Sequence, residues 1–542
     1  MIKKKTEKKL KVMDLGKPSF LESLENEFSA FHGLLLRVFT KPITKALIIN
    51  IVVYFVLNAI AYARFENDAD IMIQSLIYNV AGTRATAKVG FSSALIMKPL
   101  CILISILPSI SWYTWFIEIC AFISITILIW IVISKRSDTQ MIILMSVFSA
   151  FVGYECYMFP SYIKSSVVGT FTMMMVLSRL IGADDNRRRK FILPAAGLLF
   201  NSLLSFTGFK LGLIAGLFIV IFKIFFENYK RKVLFLTELF LVLLAIIFSV
   251  HVLDRDIFLK HSDEDKYVYE YIDDVEKLIV LGYPSYDESL LEEYNINTAN
   301  YKIMSTYNDF YVKDRTKNSM SFIHTLANRK LEFNKDNVLN YFRTVPIRMI
   351  KVGYSFLFLI VSFTFLSSNY AKKKTVIWMM VAYIFTVYGI AYFSYAWGNK
   401  ITQMVAFLPA VYYLLIVMPK ADELENKELL LYLSLMAVVL YNNFSDRIIT
   451  STSKNDLGEY IESMTADKSI TAVVSLIGYS RGRSPYDSPE PELLSEANLA
   501  LTNGYFSLFP EFGTKQYFSH EGEWLLLNGT GELNPDTYIV CE

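Results

Sequence analysis

The stretch that decides the fold is Ile43 to Gln74, ITKALIINIVVYFVLNAIAYARFENDADIMIQ. Its first part, Ile43 to Ala61, is an almost uncharged apolar run of the length that crosses a bilayer, about 20 residues. Three carboxylates, Glu66, Asp68 and Asp70, follow within a few positions of its end. The sequence therefore predicts a membrane-spanning helix that leads directly into an acidic segment.

The composition of the whole chain is that of a polytopic membrane protein. Of its 542 residues, 54% are hydrophobic, 15% are aromatic and only 19% are charged, and the mean hydropathy is +0.37. This is too apolar for a soluble protein, in which about 25% of residues are charged. The net charge of +2 indicates little by itself, because the position of each charge relative to the bilayer matters more than the sum.

Hydropathy predicts about eleven membrane spans. They lie near residues 43–62, 110–133, 139–153, 165–182, 191–209, 211–226, 233–252, 352–368, 375–394, 401–418 and 429–444. With the N-terminus in the cytosol, the basic clusters of the short turns fall on the cytosolic side, as the positive-inside rule requires. These clusters are Lys135 and Arg136, Arg187 to Lys190, Lys230 to Lys232, Lys372 to Lys374, and Lys420. We therefore expect a multi-pass protein of the cell membrane with a cytosolic N-terminus and an extracellular C-terminus.

The apolar segment Phe91 to Leu107 is not counted as a span. Lys98 and Pro99 interrupt it, and a crossing here would move every later basic cluster to the outside. We therefore expect an interfacial or re-entrant helix on the outer face, packed against protein, with Lys98 near the lipid headgroups.

This topology divides the chain into five parts. They are a cytosolic amphipathic segment (1–42), an N-terminal transmembrane module (43–252) whose first outer loop is 63–109, an extracellular loop (253–351), a C-terminal transmembrane module (352–444) and an extracellular α/β domain (445–542). Helical patterning occurs near Tyr267 to Val280 and Arg315 to Phe333. Strand-like runs in the tail include SITAVVSLIG, EWLLLN and TYIVCE. The expected fold class is mainly α, with a helical outer loop beside the membrane and a small C-terminal α/β domain.

The chemistry expected on the outer face centres on the first-loop acids. A second acid, Glu155, follows the third predicted span on the same face. A carboxylate can orient or deprotonate an attacking hydroxyl, and Arg or Lys stabilises the charge that builds on a departing phosphate oxygen. The candidate phosphate-binding cations are Arg84, Lys88, Lys98, Arg343 and Arg348. Two plainer interpretations stay open: each acid is solvated or paired with a neighbour such as Arg64, and Arg343 and Arg348 contact anionic lipid.

In these features the chain resembles the GT-C glycosyltransferases, integral membrane enzymes that take a sugar from a polyprenyl-phosphate donor. The resemblance lies in the acidic group Glu66 to Asp70, the helices of the first loop, the second outer acid Glu155 and the outer C-terminal domain. The stretches FENDADIMIQSLIYNVAGT, FSSALIMKPLCILISILPSISWY and YNDFYVKD are also similar to poorly characterised multi-pass proteins of Gram-positive bacteria. Ala69 separates two aspartates where that group commonly has an adjacent acidic pair, so either Asp68 or Asp70 is the candidate base.

The resemblance implies an inverting hexosyltransferase. Its candidate catalytic residues are Asp68 as base, Asp70 or Glu66 as the partner of that base, and Glu155 as the second acid. Its expected partners are a polyprenyl-phosphate-linked sugar donor, a cell-envelope glycan acceptor and membrane lipid, and no nucleic acid. The acids leave open whether a divalent cation is bound, since hard cations use the same oxygen ligands.

Two other functions remain open at this point. A surface polysaccharide polymerase or ligase is expected to concentrate Arg and His in its outer loops, whereas the unusual charge here is acidic and lies in the first loop. A lipid-linked sugar flippase or other transporter should carry ionisable residues inside its spans. The predicted spans hold few of these, namely Glu118, Lys223 and Glu238. The sequence therefore favours the transferase.

Overall fold

The part of the chain that the structure describes is mainly helical. The computed structural model describes residues 41–78, 85–180, 187–226, 232–250, 252, 263–281, 288–296, 301, 317–350, 352–368, 370–394, 400–418, 471–475, 484–486, 499–502 and 537–540. The N-terminal helices are α1 (Pro42–Ile60), α2 (Asp68–Tyr78), α3 (Ala94–Ile106), α4 (Trp112–Ile133), α5 (Thr139–Gly153), α6 (Tyr162–Leu180), α7 (Arg187–Leu204), α8 (Phe206–Phe226) and α9 (Lys232–Phe248). The later helices are α10 (Asp263–Leu281), α11 (Glu288–Glu293), α12 (Lys317–Asn328), α13 (Lys335–Ile350), α14 (Gly353–Ser367), α15 (Lys373–Phe393) and α16 (Lys400–Val417). A π-helical turn, Tyr154–Met158, continues α5.

Among the described residues, six helices are long and apolar enough to cross a membrane, which is compatible with a multi-pass membrane protein. They are Pro42–Ile60, Trp112–Ile133, Thr139–Met158, Phe206–Ile224, Lys373–Phe393 and Lys400–Val417. A seventh span results if α13 and α14, which meet at a bend of 81°, are taken together. The expected number of about eleven spans is not confirmed.

The difference in number comes from three helices and one segment. The apolar parts of α7 and α9, Phe191–Leu204 and Phe235–Phe248, are short. Helix α6 has 19 residues, about 28 Å at 1.5 Å per residue, but its serines, threonines and two basic residues make it more polar than a typical span. The span predicted at 429–444 lies outside the described residues, as does the predicted amphipathic segment up to residue 40.

Helix α3 has the two-faced character expected of an interfacial helix. Its 13 residues extend about 20 Å, which is shorter than the hydrocarbon core of about 30 Å. One face, including Met97, Leu100 and Ile104, is buried against protein, while Ile102 and Ile106 are exposed. An exposed apolar face beside a protein-packed one suits a helix lying at the membrane boundary.

Helix α6 lies at the centre of the bundle, packed against α4, α7 and α8. Its contact with α8 is close because Gly208 and Gly212 face it. A Cβ added at Gly208 would lie 2.6 Å from the carbonyl oxygen of Ile163, and one at Gly212 would lie 2.6 Å from that of Val167. Small residues spaced four apart allow helix backbones to approach in this way within membranes.

A buried asparagine ties the first three spans together. The Asn50 amide donates to Thr126 Oγ1 at 2.9 Å and to the carbonyl oxygen of Phe122 at 3.0 Å, both on α4. Its Oδ1 accepts from the hydroxyls of Tyr157 at 2.9 Å and Ser149 at 3.2 Å. Because its amide hydrogens and its oxygen both have partners, this polar group is buried without the desolvation penalty of an unmade bond.

The bundle has two chemically different ends. At the end that we call the basic end, the side chains of Arg136, Arg179 and Lys223 reach backbone carbonyls of Met418, Ile131 and Ser178, respectively. At the opposite end, which we call the acidic end, the first turns of α4, α6 and α8 meet α2 and α10 through Asp70 and Glu276. The acidic segment of the first loop therefore lies across the bundle from these basic side chains.

The described tail residues form a small parallel sheet. Its strands are β1 (Thr471–Ser475), β2 (Leu499–Thr502) and β3 (Thr537–Val540), in the order β2-β1-β3. Strand β1 pairs in parallel with both neighbours and lies inside the predicted strand Ser469 to Gly478. Strand β2 was not expected, and the predicted strand EWLLLN lies outside the described residues. The α/β domain as a whole therefore stays a prediction.

The close contact between α6 and α8 predicts a sharp difference between two glycines. Gly212→Ala places a methyl group 2.6 Å from the backbone oxygen of Val167, and overpacking of this kind destabilises by about 1–3 kcal/mol. At Gly389 the nearest atom, the Tyr341 hydroxyl oxygen, is 3.6 Å from the added Cβ, so Gly389→Ala should be tolerated. Thermal unfolding of both purified variants in detergent measures the difference, and equal melting temperatures would contradict the close contact.

Candidate functional site

The start of the first loop is fixed against the turn that follows α5. The Arg64 backbone N–H donates to the carbonyl oxygen of Met158 at 2.8 Å. Three residues later, the Asn67 amide donates to Ser161 Oγ at 2.9 Å. These two bonds bring the acidic segment beside Glu155, which lies on the π-helical turn. Glu155, the second candidate acid, is thus adjacent to the acidic segment of the first loop.

Lys164, on the first turn of α6, is the cation that joins them. Its side chain is completely buried, and Nζ forms ion pairs with Glu66 and, at 2.9 Å, with Glu155. Nζ also donates to the carbonyl oxygen of Glu155 at 3.0 Å and lies 5.6 Å from the centre of the Phe159 ring. We call Glu66, Glu155 and Lys164 the carboxylate–lysine triad. A buried charge needs such partners, because an unpaired ion in a protein interior is strongly destabilising.

Asp70 forms a second junction at the same end of the bundle. Its Oδ1 accepts from the Tyr113 hydroxyl at 2.8 Å and from the backbone N–H of Tyr162 at 2.9 Å. One carboxylate therefore connects α2 to the first turns of α4 and α6. Its other oxygen, Oδ2, is buried and has no hydrogen-bond partner among the described residues.

Burial raises the pKa of Asp70 from 3.8 to about 7. The hydrogen bonds from the Tyr162 N–H and from the hydroxyls of Tyr113 and Ser161 oppose this rise, while the charge of Glu66 adds to it. Desolvation is the largest cause because the carboxyl group has no contact with solvent and burial disfavours the charged form. Asp70 therefore titrates near neutral pH.

Helix α10, in the segment between α9 and α13, contacts the site on a further side through Glu276. The buried Glu276 accepts from the Tyr162 hydroxyl at 2.7 Å and from Thr207 Oγ1 at 2.8 Å. Both carboxylate oxygens are thus used, one by α6 and one by α8. The contact of α10 with α2 covers the first-loop helix, so that every residue of α2 is buried. Helix α2, one of the helices expected in the first loop, is thus enclosed by protein along its whole length.

The remaining predicted site residues occupy different environments. Asp68 begins α2 and is buried. Lys98 is exposed on α3, Lys88 is half-buried, and Arg343 and Arg348 are exposed on α13. Arg84 lies outside the described residues.

Lys164 and Glu276 are not among the candidates that the sequence predicts. Lys164 lies just before the predicted span 165–182, and Glu276 lies in a helix with several other acids, among them Asp273 and Asp274. Neither is therefore an ionisable residue inside a predicted span, which is the signal that indicates a functional site from sequence. Among the described residues, no three His, Cys, Asp or Glu side chains are grouped to hold a metal ion.

A further acid, Glu118, lies on α4, which packs against the helix that carries Lys164. It is buried on α4, and its Oε1 accepts from the Tyr486 hydroxyl at 2.6 Å. Tyr486 belongs to the short described tail segment Ser484–Tyr486, so the tail reaches the same end of the bundle.

Comparisons with protein-family models, with curated proteins and with solved structures find no match to this chain. The assignment of a function therefore depends on the chemistry of the acidic end.

The triad predicts a specific pattern of stability. Lys164→Met should destabilise the protein by about 3–5 kcal/mol, because it leaves the buried Glu155 and the half-buried Glu66 uncompensated. Adding Glu66→Gln and Glu155→Gln should restore part of the loss, because both uncompensated charges are then removed. Melting temperatures of the single and triple variants test this. A triple variant that is no more stable than Lys164→Met would show that the ion pairs do not hold these segments together.

Asp70 predicts a pH dependence of stability. Its pKa in the folded protein is raised to about 7 from 3.8. Its contribution to the free energy of unfolding is therefore fully present below pH 3.8 and is lost as the pH rises through 7. The loss is at most about 4 kcal/mol. Relative to Asp70→Asn, the wild type should therefore lose melting temperature between about pH 4 and 7 and change little above that. A difference that is flat or grows with pH would contradict burial of an ionisable Asp70.

Proposed function

We propose that this protein is a membrane glycosyltransferase that moves a sugar from a polyprenyl-phosphate donor to a cell-envelope glycan on the outer face of the membrane. The observation that carries the proposal is the carboxylate–lysine triad. It gathers the first-loop acid Glu66 and the second acid Glu155 at one end of the bundle. Acids and a cation at a membrane boundary suit a reaction between a hydroxyl and a lipid-linked phosphate.

The arrangement of charges supports an outer location for this site. Arg136, Arg179 and Lys223 reach carbonyls at the basic end. Basic residues at the ends of spans favour the cytosolic side. The acidic end then faces outward, where polyprenyl-linked sugars would present their phosphate at the headgroup level. Helix α3, with its exposed apolar face, would rest at that level beside the site.

The burial of the acids suggests different roles for them. Asp70 is completely enclosed and links α2 to α4 and α6, so we assign it a positioning role. Glu66, whose side chain is 18% exposed, is neutralised by Lys164. We therefore propose Asp68, at the start of α2, as the base that assists the acceptor hydroxyl. Glu155 and Lys164 would hold the loop in the geometry that the base needs.

The position of the buried charges favours an enzyme over a transporter. Transporter sites lie near the middle of the bilayer, between helices that rock against one another. Lys164 is the third residue of α6 and Glu118 the seventh of α4, so both lie within about 10 Å of a helix end at 1.5 Å per residue. A site at the boundary, where a lipid headgroup meets an aqueous acceptor, fits transfer better.

The base assignment predicts the effect of removing one carboxylate. Asp68→Asn should lower the rate of sugar transfer by about 10²–10⁴-fold, the contribution of a positioned general base. The measurement is incorporation of labelled sugar from a polyprenyl-phosphate donor into envelope glycan by membrane vesicles, with protein amount and melting temperature recorded.

Asp138→Asn is the matched control. Asp138 is paired with Arg136 at the basic end, so this variant changes the same chemical group far from the proposed site and should transfer sugar at the wild-type rate. Full activity of Asp68→Asn would remove Asp68 from the reaction. Absence of transfer by the wild type with every polyprenyl-phosphate sugar offered would exclude the proposed function.

A further inference from the structure

A cleft at the acidic end is occupied by the protein's own tail. We call the described residues Ser484–Tyr486 the tail tip and the surrounding side chains the tip cleft, which comprises Tyr54, Gln74, Ser111, Thr114, Trp115 and Glu118. The tail tip is held by its backbone at one side of the cleft and by the Tyr486 ring at the other. Both contacts are made by elements that position the acidic end.

The backbone contact brings three donors to one carbonyl. The carbonyl oxygen of Pro485 lies 2.5 Å from Thr114 Oγ1, 2.7 Å from Ser111 Oγ and 3.4 Å from the Gln74 amide nitrogen. The same groups also bond one another, since the Gln74 amide donates to Ser111 Oγ at 2.9 Å and the Ser111 and Thr114 hydroxyls lie 2.9 Å apart. The cleft therefore presents a connected set of hydroxyl and amide groups, which suits a ligand with several hydroxyl groups.

The ring contact resembles the way a protein holds a sugar. The Tyr486 hydroxyl donates to Glu118 at 2.6 Å, and the Tyr486 ring lies 5.3 Å from that of Trp115, measured between centres. The hydroxyl of Tyr54 lies 3.4 Å from both Glu118 and the Tyr486 hydroxyl. A hydroxyl-bearing ring therefore lies beside an indole with its hydroxyl on a carboxylate.

The chemistry of the cleft favours one ligand class. Its one acidic side chain among the described residues is Glu118, which is buried and bonded to two phenols. The lining residues named above include no lysine or arginine that could pair with a phosphate, whereas a carboxyl group bonds readily to hydroxyl groups. A neutral polyhydroxylated ring fits these constraints.

We propose that the tip cleft is a carbohydrate subsite and that the tail tip occupies it in place of the acceptor sugar. The sugar ring would lie on Trp115, one hydroxyl would donate to Glu118, and other oxygens would accept from Ser111, Thr114 and Gln74. The tail tip must leave before the sugar enters, so the tail acts as an autoinhibitory plug. This proposal rests on the proposed function in taking the ligand to be the acceptor sugar, and it is tested without measuring transfer.

The test measures release of the tail tip by cysteine labelling. Pro485→Cys, whose backbone keeps its carbonyl, is introduced into the full chain with Cys101, Cys120, Cys156 and Cys541 changed to alanine. Pro485 is buried, so a maleimide should label this cysteine slowly while the tip is docked. Methyl glycosides of common hexoses and N-acetylhexosamines, each at about 10 mM, about ten times a millimolar dissociation constant, should accelerate labelling roughly tenfold.

Three controls make the result specific. An open-chain alditol at the same concentration should have no effect, since it lacks the ring. Lys135→Cys, exposed near the basic end, should be labelled at the same rate with and without sugar. Tyr486→Ala should accelerate labelling roughly tenfold without sugar, the factor that loss of one buried hydrogen bond gives. Ser484→Cys replaces Pro485→Cys if the latter does not fold.

The outcomes separate this proposal from the proposed function. Acceleration by pyranosides but not by the alditol supports the subsite, whether or not transfer is observed. Labelling that no glycoside accelerates, with Tyr486→Ala accelerating it, would identify the tail tip as a permanent structural strap and overturn the proposal. Labelling that Tyr486→Ala leaves unchanged would show that the tip is not docked through Glu118 and would overturn it as well.

Discussion

The acidic end of this protein depends on one buried ammonium group. Lys164 holds the half-buried Glu66 from the first loop and the buried Glu155 from the turn after α5, and without it Glu155 would be an uncompensated carboxylate in the interior, which is strongly destabilising. Around this ion pair, Asp70 and Glu276 join the first turns of α4, α6 and α8 to the loop helices α2 and α10. The loop helices are therefore fixed to the bundle by carboxylates, whereas the bundle helices are joined by apolar contacts, by Asn50 and by hydroxyl groups such as those of Ser165 and Tyr412.

The sequence predicted those parts that depend on local composition. The first, second and third spans lie where the apolar runs placed them, and Phe91 to Leu107 contains the short two-faced helix α3. The helices around Tyr267 and in the segment after Arg315 also follow their periodicity. Such features can be predicted from the sequence because each is determined by the spacing of apolar residues within a single segment.

The rest depends on partners that are distant along the chain. Lys164 and Glu66 are 98 positions apart in the sequence, and Tyr162 and Glu276 are 114 positions apart. No local pattern joins either pair. The number of spans is not confirmed, in part because α6 is enclosed by its neighbours, and a helix enclosed by protein need not be apolar and uncharged throughout. The enclosure of α2 likewise follows from tertiary packing, which overrides the character of the segment.

The glycine face of α8 has a consequence for motion. Carbonyl groups of α6 lie directly against it, so separating the two helices would lose the close van der Waals packing that small residues allow between helices in a membrane. The pair should therefore move as one rigid unit. Under the proposed function, the rearrangement that admits a lipid-borne donor would be carried by the elements around this pair, among them the tail tip, which contacts the bundle through the Pro485 carbonyl and the Tyr486 side chain.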